Sequence, residues 1–426
     1  MSAPAIPTPA WTLAEWLGWQ ERLNPRTIEL GLERVRSVAE RLGLLPCAAR
    51  TLIVAGTNGK GSSATLAAAI YRAAGYRTGL YTSPHLQQYN ERVAIDGQPA
   101  DDAALCRAFH AIEQVRGATS LTYFEFGTLA ALWLFREAGV QLQVLEVGLG
   151  GRLDATNIVD ADAALVTNIG LDHTDWLGPD RDSIGREKAG VLRAGKPVIV
   201  AERHPPESVL AEARRLHAPL LQLGQDYDYA PHEHDWQWHG QAAKLGRLPR
   251  PALPGAMQLQ NAAGVLAAVV ALQPLLPVDE AAVHQALRSL GLPGRLQRRG
   301  QLLFDVGHNA EAAQVLAEHL QALRVPGRVL LVLGMLADKP VEAYCAALAP
   351  VVAQTYLGGL PGPRGLGGHA LGARIRALGM ETEVCPDIAD ALSRAQAAAM
   401  PEDLIVVAGS FLTVSAALDA LGPVDE

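Results

Sequence analysis

The stretch VAGTNGKGSSATL, residues 54–66, decides how the rest of the chain is read. It follows an apolar run, Thr51–Ala55, and leads into a helical pattern over Ser63–Ala74. A glycine-rich turn between a strand and a helix presents backbone N–H groups and the positive end of the helix dipole to an anion. The common phosphate loop reads G-x-x-x-x-G-K-[ST], with the metal-binding hydroxyl directly after the lysine. Here only Thr57 and Asn58 separate Gly56 from Gly59, and Gly61 stands where the hydroxyl is expected. The hydroxyl is displaced to Ser62. The loop therefore reads as phosphate-binding, with Lys60 as a point charge among the phosphate oxygens and the metal ligands elsewhere. The alternative is a tight turn with an exposed lysine.

Short apolar runs alternate with helical patterns through most of the 426 residues, which predicts an α/β architecture with largely parallel sheets. Leu142–Val147 and Ala163–Thr167 read as further strands, and ligands in such sheets gather beyond the carboxyl ends of strands. The pattern restarts after LGLPGRLQRRGQ, residues 290–301. We expect two domains, 1–294 and a smaller α/β domain 295–426, with strands at Leu302–Val306, Val329–Leu333 and Leu404–Ala408. Strand order is not readable.

Composition narrows the function classes. A net charge of −8 argues against a general nucleic-acid or anionic-membrane surface, so positive charge for an anionic ligand must be local. MSAPAIPTPAW at the start has no basic or apolar region of an export signal. The run Ala262–Pro277 is too short and interrupted to span a bilayer. Cys47, Cys106, Cys345 and Cys385 are scattered, which suggests neither disulfides nor a zinc site. A cytoplasmic enzyme is the expectation.

Four more blocks carry chemistry. In YTSPHLQQYNERV (81–93), Ser83 follows a strand and Pro84 stops it. In QVLEVGLGGRLDATN (143–157), Glu146 lies inside an apolar strand, where a carboxylate needs a cation, a metal or a proton. Gly148, Gly150 and Gly151 hint at a dinucleotide fingerprint, but no amphipathic helix follows. In TNIGLDHTDWLGPDRDSIGREKAGVL (167–192), Asp172, His173 and Asp175 follow the next strand, so His173 and Glu146 are candidates for one metal site. Lys188 is either part of that site or a solvated surface lysine. Arg295, Asp305, His308 and Asn309 sit at the domain boundary, with phosphate and ribose contacts on one reading and a linker arginine and helix cap on the other. The histidines of PHEHDWQWHG (231–240) fit an exposed hairpin strand better than a metal site.

Together, AGTNGKGS, SPHL, LTYFEFGTL, LEVGLGGRLDATN, LDHTDWLG and REKAG, in this order and spacing, resemble the folylpolyglutamate synthase and dihydrofolate synthase family, relatives of the peptidoglycan Mur ligases. The likeness runs from RTIELGLERV (26–35) to VVAGSFLTV (406–414) and is near the bifunctional bacterial form. It implies a Mur-ligase-like fold, with a P-loop ATPase-type N-terminal domain that binds ATP and the pterin and a smaller Rossmann-like C-terminal domain that completes the ATP and glutamate site. It implies an ATP-dependent ligase that adds L-glutamate to 7,8-dihydropteroate and to reduced folates through an acyl phosphate.

By matching motif, the resemblance places the nucleotide on Thr57, Asn58, Gly59, Lys60, Gly61, Ser62, Asn261, Arg295, Asp305 and His308. One or two Mg²⁺ ions are implied on Ser83, Glu146 and His173, with Lys60, Glu146, His173 and Lys188 as the catalytic set. Lys188 matches a position that carries a CO₂-derived carbamate. The pterin acid is implied against Ile28, Glu29, Leu30, Thr122, Tyr123, Phe124, Glu125, Leu153, Asp154 and Ala155. Arg295 and Asp305 are a few residues closer than is usual in the family, which shortens a turn. Partners are expected to be small molecules only, and the chain a monomer. The alternatives are a ligase doing one of the two steps, a ligase for a UDP-sugar peptidoglycan precursor, which the mere 55 residues before Gly56 disfavour, a nucleotide-binding module without catalysis, and a dehydrogenase.

Overall fold

Residues Leu52, Ile53, Val54 and Ala55 are buried in β1 (Arg50–Ala55), a strand enclosed on both faces. The computed structural model describes residues 8, 10–24, 26, 28–241 and 243–422, so most of the expected signal-free start, residues 1–11, lies outside the described residues. The later strands of the same sheet are β2 (Thr78–Tyr81), β3 (Val93–Ile95), β4 (Gln98–Pro99), β5 (Leu142–Glu146), β6 (Ala163–Val166), β7 (Val198–Val200) and β8 (Leu220–Gln222). Their order is β4-β3-β2-β5-β1-β6-β7-β8. Pairing is parallel from β2 to β8, and only the β2–β3 and β3–β4 pairs at one edge are antiparallel.

This order positions the site. β1 lies between β5 and β6, with Val54 opposite Glu146 and Ala55 opposite Val166. The loops that leave β1, β5 and β6 therefore emerge side by side at one end of the sheet, where the chain turns to opposite sides of β1.

The helices of this part begin with α1 (Leu13–Leu23), α2 (Glu33–Arg41), α3 (Lys60–Ala73), α4 (Asp102–Arg116) and α5 (Tyr123–Ala138), followed by α6 (Thr174–Leu177) and α7 (Arg181–Ala189). α1 and α5 start with capping boxes, Thr12 with Glu15 and Thr122 with Glu125. α1, α4 and α5 meet through Trp16, Trp19, Phe109 and Phe126, whose rings contact edge-on or tilted at 5.7–5.9 Å. α3 begins at Lys60 rather than at the expected Ser63, so Lys60, Gly61 and Ser62 form its first turn. Among the described residues, no helix is long and apolar enough to cross a membrane.

The chain divides into two compact units: residues 1–252 with 258–290, and 253–257 with 291–426. Residues 291–294, expected in the first domain, thus belong with the second, where the Gly294 carbonyl accepts the Val306 N–H at 2.9 Å. The first unit also carries an antiparallel sheet of β9 (Tyr227–Pro231), β10 (Asp235–Gly240) and β11 (Lys244–Pro249). The strand expected there to be exposed is instead the central one, and its Trp236 and Trp238 are buried. Their indoles donate to the carbonyls of Pro249 and Ala263 at 2.9 and 3.0 Å. His232, His234 and His239 are exposed.

The second unit holds a six-stranded sheet of β12 (Gln297–Arg299), β13 (Leu302–Asp305), β14 (Val329–Leu333), β15 (Gln354–Gly358), β16 (Thr382–Cys385) and β17 (Leu404–Ala408). Its order is β12-β13-β17-β14-β15-β16, parallel apart from β12. β12 and β13 are joined by a tight turn at Gly300 and Gln301, between Arg295 and Asp305.

Candidate active site

The glycine-rich loop is held by its neighbour. Asn168, just beyond β6, accepts the Asn58 N–H on its side-chain oxygen and the Thr57 N–H on its carbonyl, each at 2.8 Å. The Thr167 hydroxyl donates to the Asn58 carbonyl at 2.7 Å. The Thr57 hydroxyl accepts from the Gly170 N–H at 2.9 Å and donates to the Gly170 carbonyl at 3.2 Å. Thr57 thus serves the loop's shape with its hydroxyl.

Gly59 caps α3 with φ +78°, a conformation that glycine adopts without strain. A β-carbon there would lie 2.5 Å from Asn261 Oδ1, so the predicted loop and the predicted Asn261 are in contact. A β-carbon at Gly61 would lie 3.5 and 3.6 Å from the two carboxylate oxygens of Glu146. The carboxylate of β5 therefore stands beside the position where the common loop carries its hydroxyl. Ser62 and Ser63 are buried behind it.

Glu146 is 5% exposed, and its Oε2 accepts the Ser83 N–H at 3.0 Å. Ser83 comes from the end of β2, which pairs with β5, so the two predicted metal residues are neighbours. The site therefore offers a buried carboxylate beside a serine, an oxygen set that suits Mg²⁺. Among the described residues, no three His, Cys, Asp or Glu side chains converge as a metal cluster. A hard ion here would need water and phosphate oxygens to complete its shell.

Lys188 is not a surface lysine. It is 4% exposed on α7, and its Nζ donates to the Gly56 carbonyl at 2.7 Å. The same carbonyl accepts from Lys60 Nζ at 3.0 Å, and Lys60 also reaches the Thr57 carbonyl at 3.1 Å. Burial, reinforced by the Lys60 cation, pushes the Lys188 amine down to about 7, against the pull of Asp172 and Asp154.

The glycines of the β5 loop have a packing role. Gly151 lies against the carbonyls of Glu187 and Lys188, where a β-carbon would come within 2.9 and 3.0 Å, and the Arg152 N–H donates to the Glu187 carbonyl at 2.7 Å. Gly148 leaves room for the Phe124 ring, which would be 2.6 Å from a β-carbon. These contacts replace the dinucleotide hint with the seating of α7 and of an aromatic wall.

That wall belongs to a cavity of about 250 Å³ in the first unit. Of the predicted pterin residues, Ile28, Glu29, Leu30, Thr122, Phe124, Glu125, Leu153, Asp154 and Ala155 line it, and so do Ser83, His173 and Arg92. Tyr123, also expected there, does not line it. Consecutive helical residues point about 100° apart; with Phe124 on the cavity, the Tyr123 ring packs edge-on against Tyr89 at 5.7 Å and under the Arg92 guanidinium at 5.4 Å. Arg92 Nε donates to His85 Nδ1 at 2.8 Å, and burial followed by the Arg92 cation pushes that imidazole down to about 4. Asp154 accepts from the Thr156 hydroxyl and N–H and from the Leu149 N–H. Burial still leaves its carboxyl above the ordinary aspartate range.

In the second unit, Asp305 ends β13 and accepts the N–H groups of Gly307 at 2.8 Å and Leu296 at 3.2 Å. Burial raises its carboxyl, opposed by Arg295. Arg295 lies 5.5 Å over the Phe411 ring, and His308 packs at 6.5 Å from the same ring. Asn309 caps the helix Ala310–Leu323 through the Ala312 N–H. The sequence reading missed Thr167, Asn168, Arg92 and Phe411. It also overlooked the T-x-x-E pattern that marks Thr122 and Glu125 as a capping box.

Comparison with known proteins identifies the family. The Mur ligase middle domain family matches residues 54–269, and the Mur ligase glutamate ligase domain family matches residues 294–411. The chain is 46% identical to an Escherichia coli K12 dihydrofolate synthase/folylpolyglutamate synthase, over 97% of each chain. It is similar to the structure of E. coli FolC in complex with DHPP and ADP, with a TM-score of 0.93, covering 97% of this chain and 99% of that one. A Yersinia pestis bifunctional folylpolyglutamate synthase/dihydrofolate synthase complexed with AMPPNP and Mn ion is 44% identical, with a TM-score of 0.91 over 98% of this chain and all of that one. The chain belongs to the dihydrofolate synthase/folylpolyglutamate synthase family of the Mur ligases.

Proposed function

We propose that the protein is an ATP- and Mg²⁺-dependent ligase that joins L-glutamate to 7,8-dihydropteroate and to tetrahydrofolates. One observation carries the reading. The cavity walled by Phe124 and Leu153 is also lined by Ser83, and the Ser83 backbone N–H is bonded to Glu146, which stands beside the first turn after the phosphate loop. An acid bound in the cavity can therefore bring its carboxylate to the γ-phosphate end of a nucleotide on the loop.

A carboxylate at neutral pH does not acylate an amine, because its oxygen is a poor leaving group. Attack of the acid's oxygen on the γ-phosphorus expels ADP and gives an acyl phosphate. The glutamate amine then adds to that carbonyl carbon and loses a proton, and phosphate leaves as the amide forms. The protein's part is placement and charge neutralisation. Lys60, at the start of α3, would turn from its loop carbonyls to the phosphate oxygens. The α3 N-terminus adds backbone N–H groups to the same anion. Phe124 and Leu153 would exclude water from the acyl centre. Mg²⁺, when bound by Ser83, Glu146 and His173, would neutralise phosphate charge. Asn261, Arg295, Asp305 and His308 are assigned to the nucleotide by motif.

Lys188 fits the carbamate reading. An amine near 7 is substantially uncharged at neutral pH and can attack CO₂, forming the N–C bond and releasing one proton. The product is a carboxylate beside the Lys60 cation, with Asp172 and Asp154 also near. A ¹³C-bicarbonate label appearing in Lys188 by NMR supports it; a variant Lys188→Ala with full activity refutes it.

The activity test is incorporation of labelled glutamate with ATP, Mg²⁺ and either dihydropteroate or tetrahydrofolate. Product with both supports the dual reading, and product with one supports a monofunctional ligase. No product with either overturns both. Transfer of ¹⁸O from the acid's carboxylate to phosphate tests the acyl phosphate. We place the protein in the cytoplasm as a monomer; a dimer mass in solution would correct the latter.

A further inference from the structure

The cavity is closed on one side by residues 28–31, a segment without regular secondary structure. Such a segment needs fixing from outside itself, and one side chain does most of it. Arg34, in the first turn of α2, bonds Glu29 twice: Nη1 to the carboxylate at 3.1 Å, and Nη2 to the backbone carbonyl at 2.8 Å. The same Nη2 donates to Glu125 Oε1 at 3.1 Å, at the start of α5 on the neighbouring wall. Each carboxylate gives its second oxygen to its own surroundings: Glu29 to Asn24 at 3.0 Å, and Glu125 to the Thr122 N–H at 2.7 Å. Both acids are thereby spent on protein contacts, and what they share is Arg34.

Two details support a latch. Among the described residues, the buried Arg34 Nε has no hydrogen-bond partner, and the guanidinium is held there by these carboxylates and this carbonyl. Gly31 has φ +150°, and its N–H reaches the Leu153 carbonyl at 3.4 Å, which ties the other end of the segment to the opposite wall. The segment is thus pinned at both ends.

We propose that Arg34 is a positioning residue for the pterin acid: by bolting Glu29 to Glu125 it fixes residues 28–31 as a wall of the cavity, and so sets affinity for the acid rather than the chemical step. This rests on the reading that the cavity takes the pterin acid. A planar fork can bridge two acceptors at once, whereas a lysine supplies the charge at a single point.

The test is steady-state kinetics of the full chain. Arg34→Gln is expected to raise KM for dihydropteroate about tenfold or more, with KM for ATP changed less than about twofold and kcat falling less than KM rises. Arg34→Lys should recover only part of the loss. If Arg34→Gln does not fold, Glu29→Gln takes the charge from the segment's arm, keeps the Arg34 bond to the Glu29 carbonyl and the α5 cap, and should raise KM for dihydropteroate by a smaller factor, about threefold, with KM for ATP again unchanged. Unchanged KM for dihydropteroate in a folded variant overturns the proposal. So does a parallel loss in both KM values and kcat, which would mark general damage. Phe124→Ala separates the two levels. If it weakens dihydropteroate binding and the Arg34 variants do not, the latch is wrong; if it has no effect either, the cavity assignment is wrong.

Discussion

A lysine amine in water ionises near 10.5, and inside the first unit the Lys188 amine is pushed down to about 7. The difference, 10.5 − 7, corresponds to about 5 kcal/mol that the fold spends on keeping the ammonium form buried. The sign follows from linkage. The folded state holds the proton less tightly than the unfolded chain, so the cost is present in full below pH 7, shrinks as pH rises from 7 to 10.5, and is gone above that. Lys188→Met fills nearly the same volume without the charge. It forfeits one hydrogen bond to the Gly56 carbonyl, which Lys60 still reaches at 3.0 Å, a loss of about 1 kcal/mol. The variant should therefore be inactive yet more stable, by about 4 kcal/mol near pH 6 and by close to nothing near pH 10. Urea unfolding in CO₂-free buffer, followed by tryptophan fluorescence, reads this cleanly. All seven tryptophans, from Trp11 to Trp238, lie in the first unit. A stability gap that is the same at both pH values, or a variant less stable near pH 6, would refute the reasoning.

Glu146→Gln keeps an acceptor for the Ser83 N–H but removes the charge, and should raise the Mg²⁺ concentration needed for half-maximal rate by about tenfold or more, read from a Mg²⁺ titration. Gly59→Ala forces a methyl group to within 2.5 Å of Asn261 Oδ1 at φ +78°, and should raise KM for ATP about tenfold; Gly75→Ala, at φ +89° with open space around it, should lower stability by about 1 kcal/mol and leave KM for ATP alone. Phe124→Ala removes most of an aromatic wall, and should weaken dihydropteroate binding by about 1.5–3 kcal/mol in a calorimetric titration without moving ATP affinity.

What could be read from sequence alone follows physical lines. The strands and the loop at Gly56 are local patterns, and Glu146 stood out because a carboxylate in an apolar strand needs a reason. Lys188 could not be decided, because α7 mixes polar residues with Ile184 and Ala189, and the carbonyl its amine reaches, that of Gly56, lies 132 positions earlier in the chain. Strand order was hidden because parallel strands buried on both faces are uniformly apolar and carry no mark of their neighbours. Thr167 and Asn168 escaped notice because they act on the backbone of residues 109 and 110 positions away, and a backbone amide leaves no trace in sequence. Tyr123 could not be told from Phe124 by motif, because only the fold shows that its ring packs on Tyr89 and under Arg92.

The bonds from Thr167, Asn168 and Gly170 to the glycine-rich loop have a consequence for dynamics. A loop of this kind, left to itself, samples many shapes, and a ligand that gathers it loses binding energy to that ordering. Here the ordering happens when β6 docks beside β1, before any nucleotide arrives. The amides of Thr57 and Asn58 should then exchange with deuterium nearly as slowly without nucleotide as with it. An Asn168→Ala variant, remote in sequence, would show fast exchange at the Asn58 amide, leave the Thr57 amide slow on the backbone carbonyl of residue 168, and weaken ATP binding.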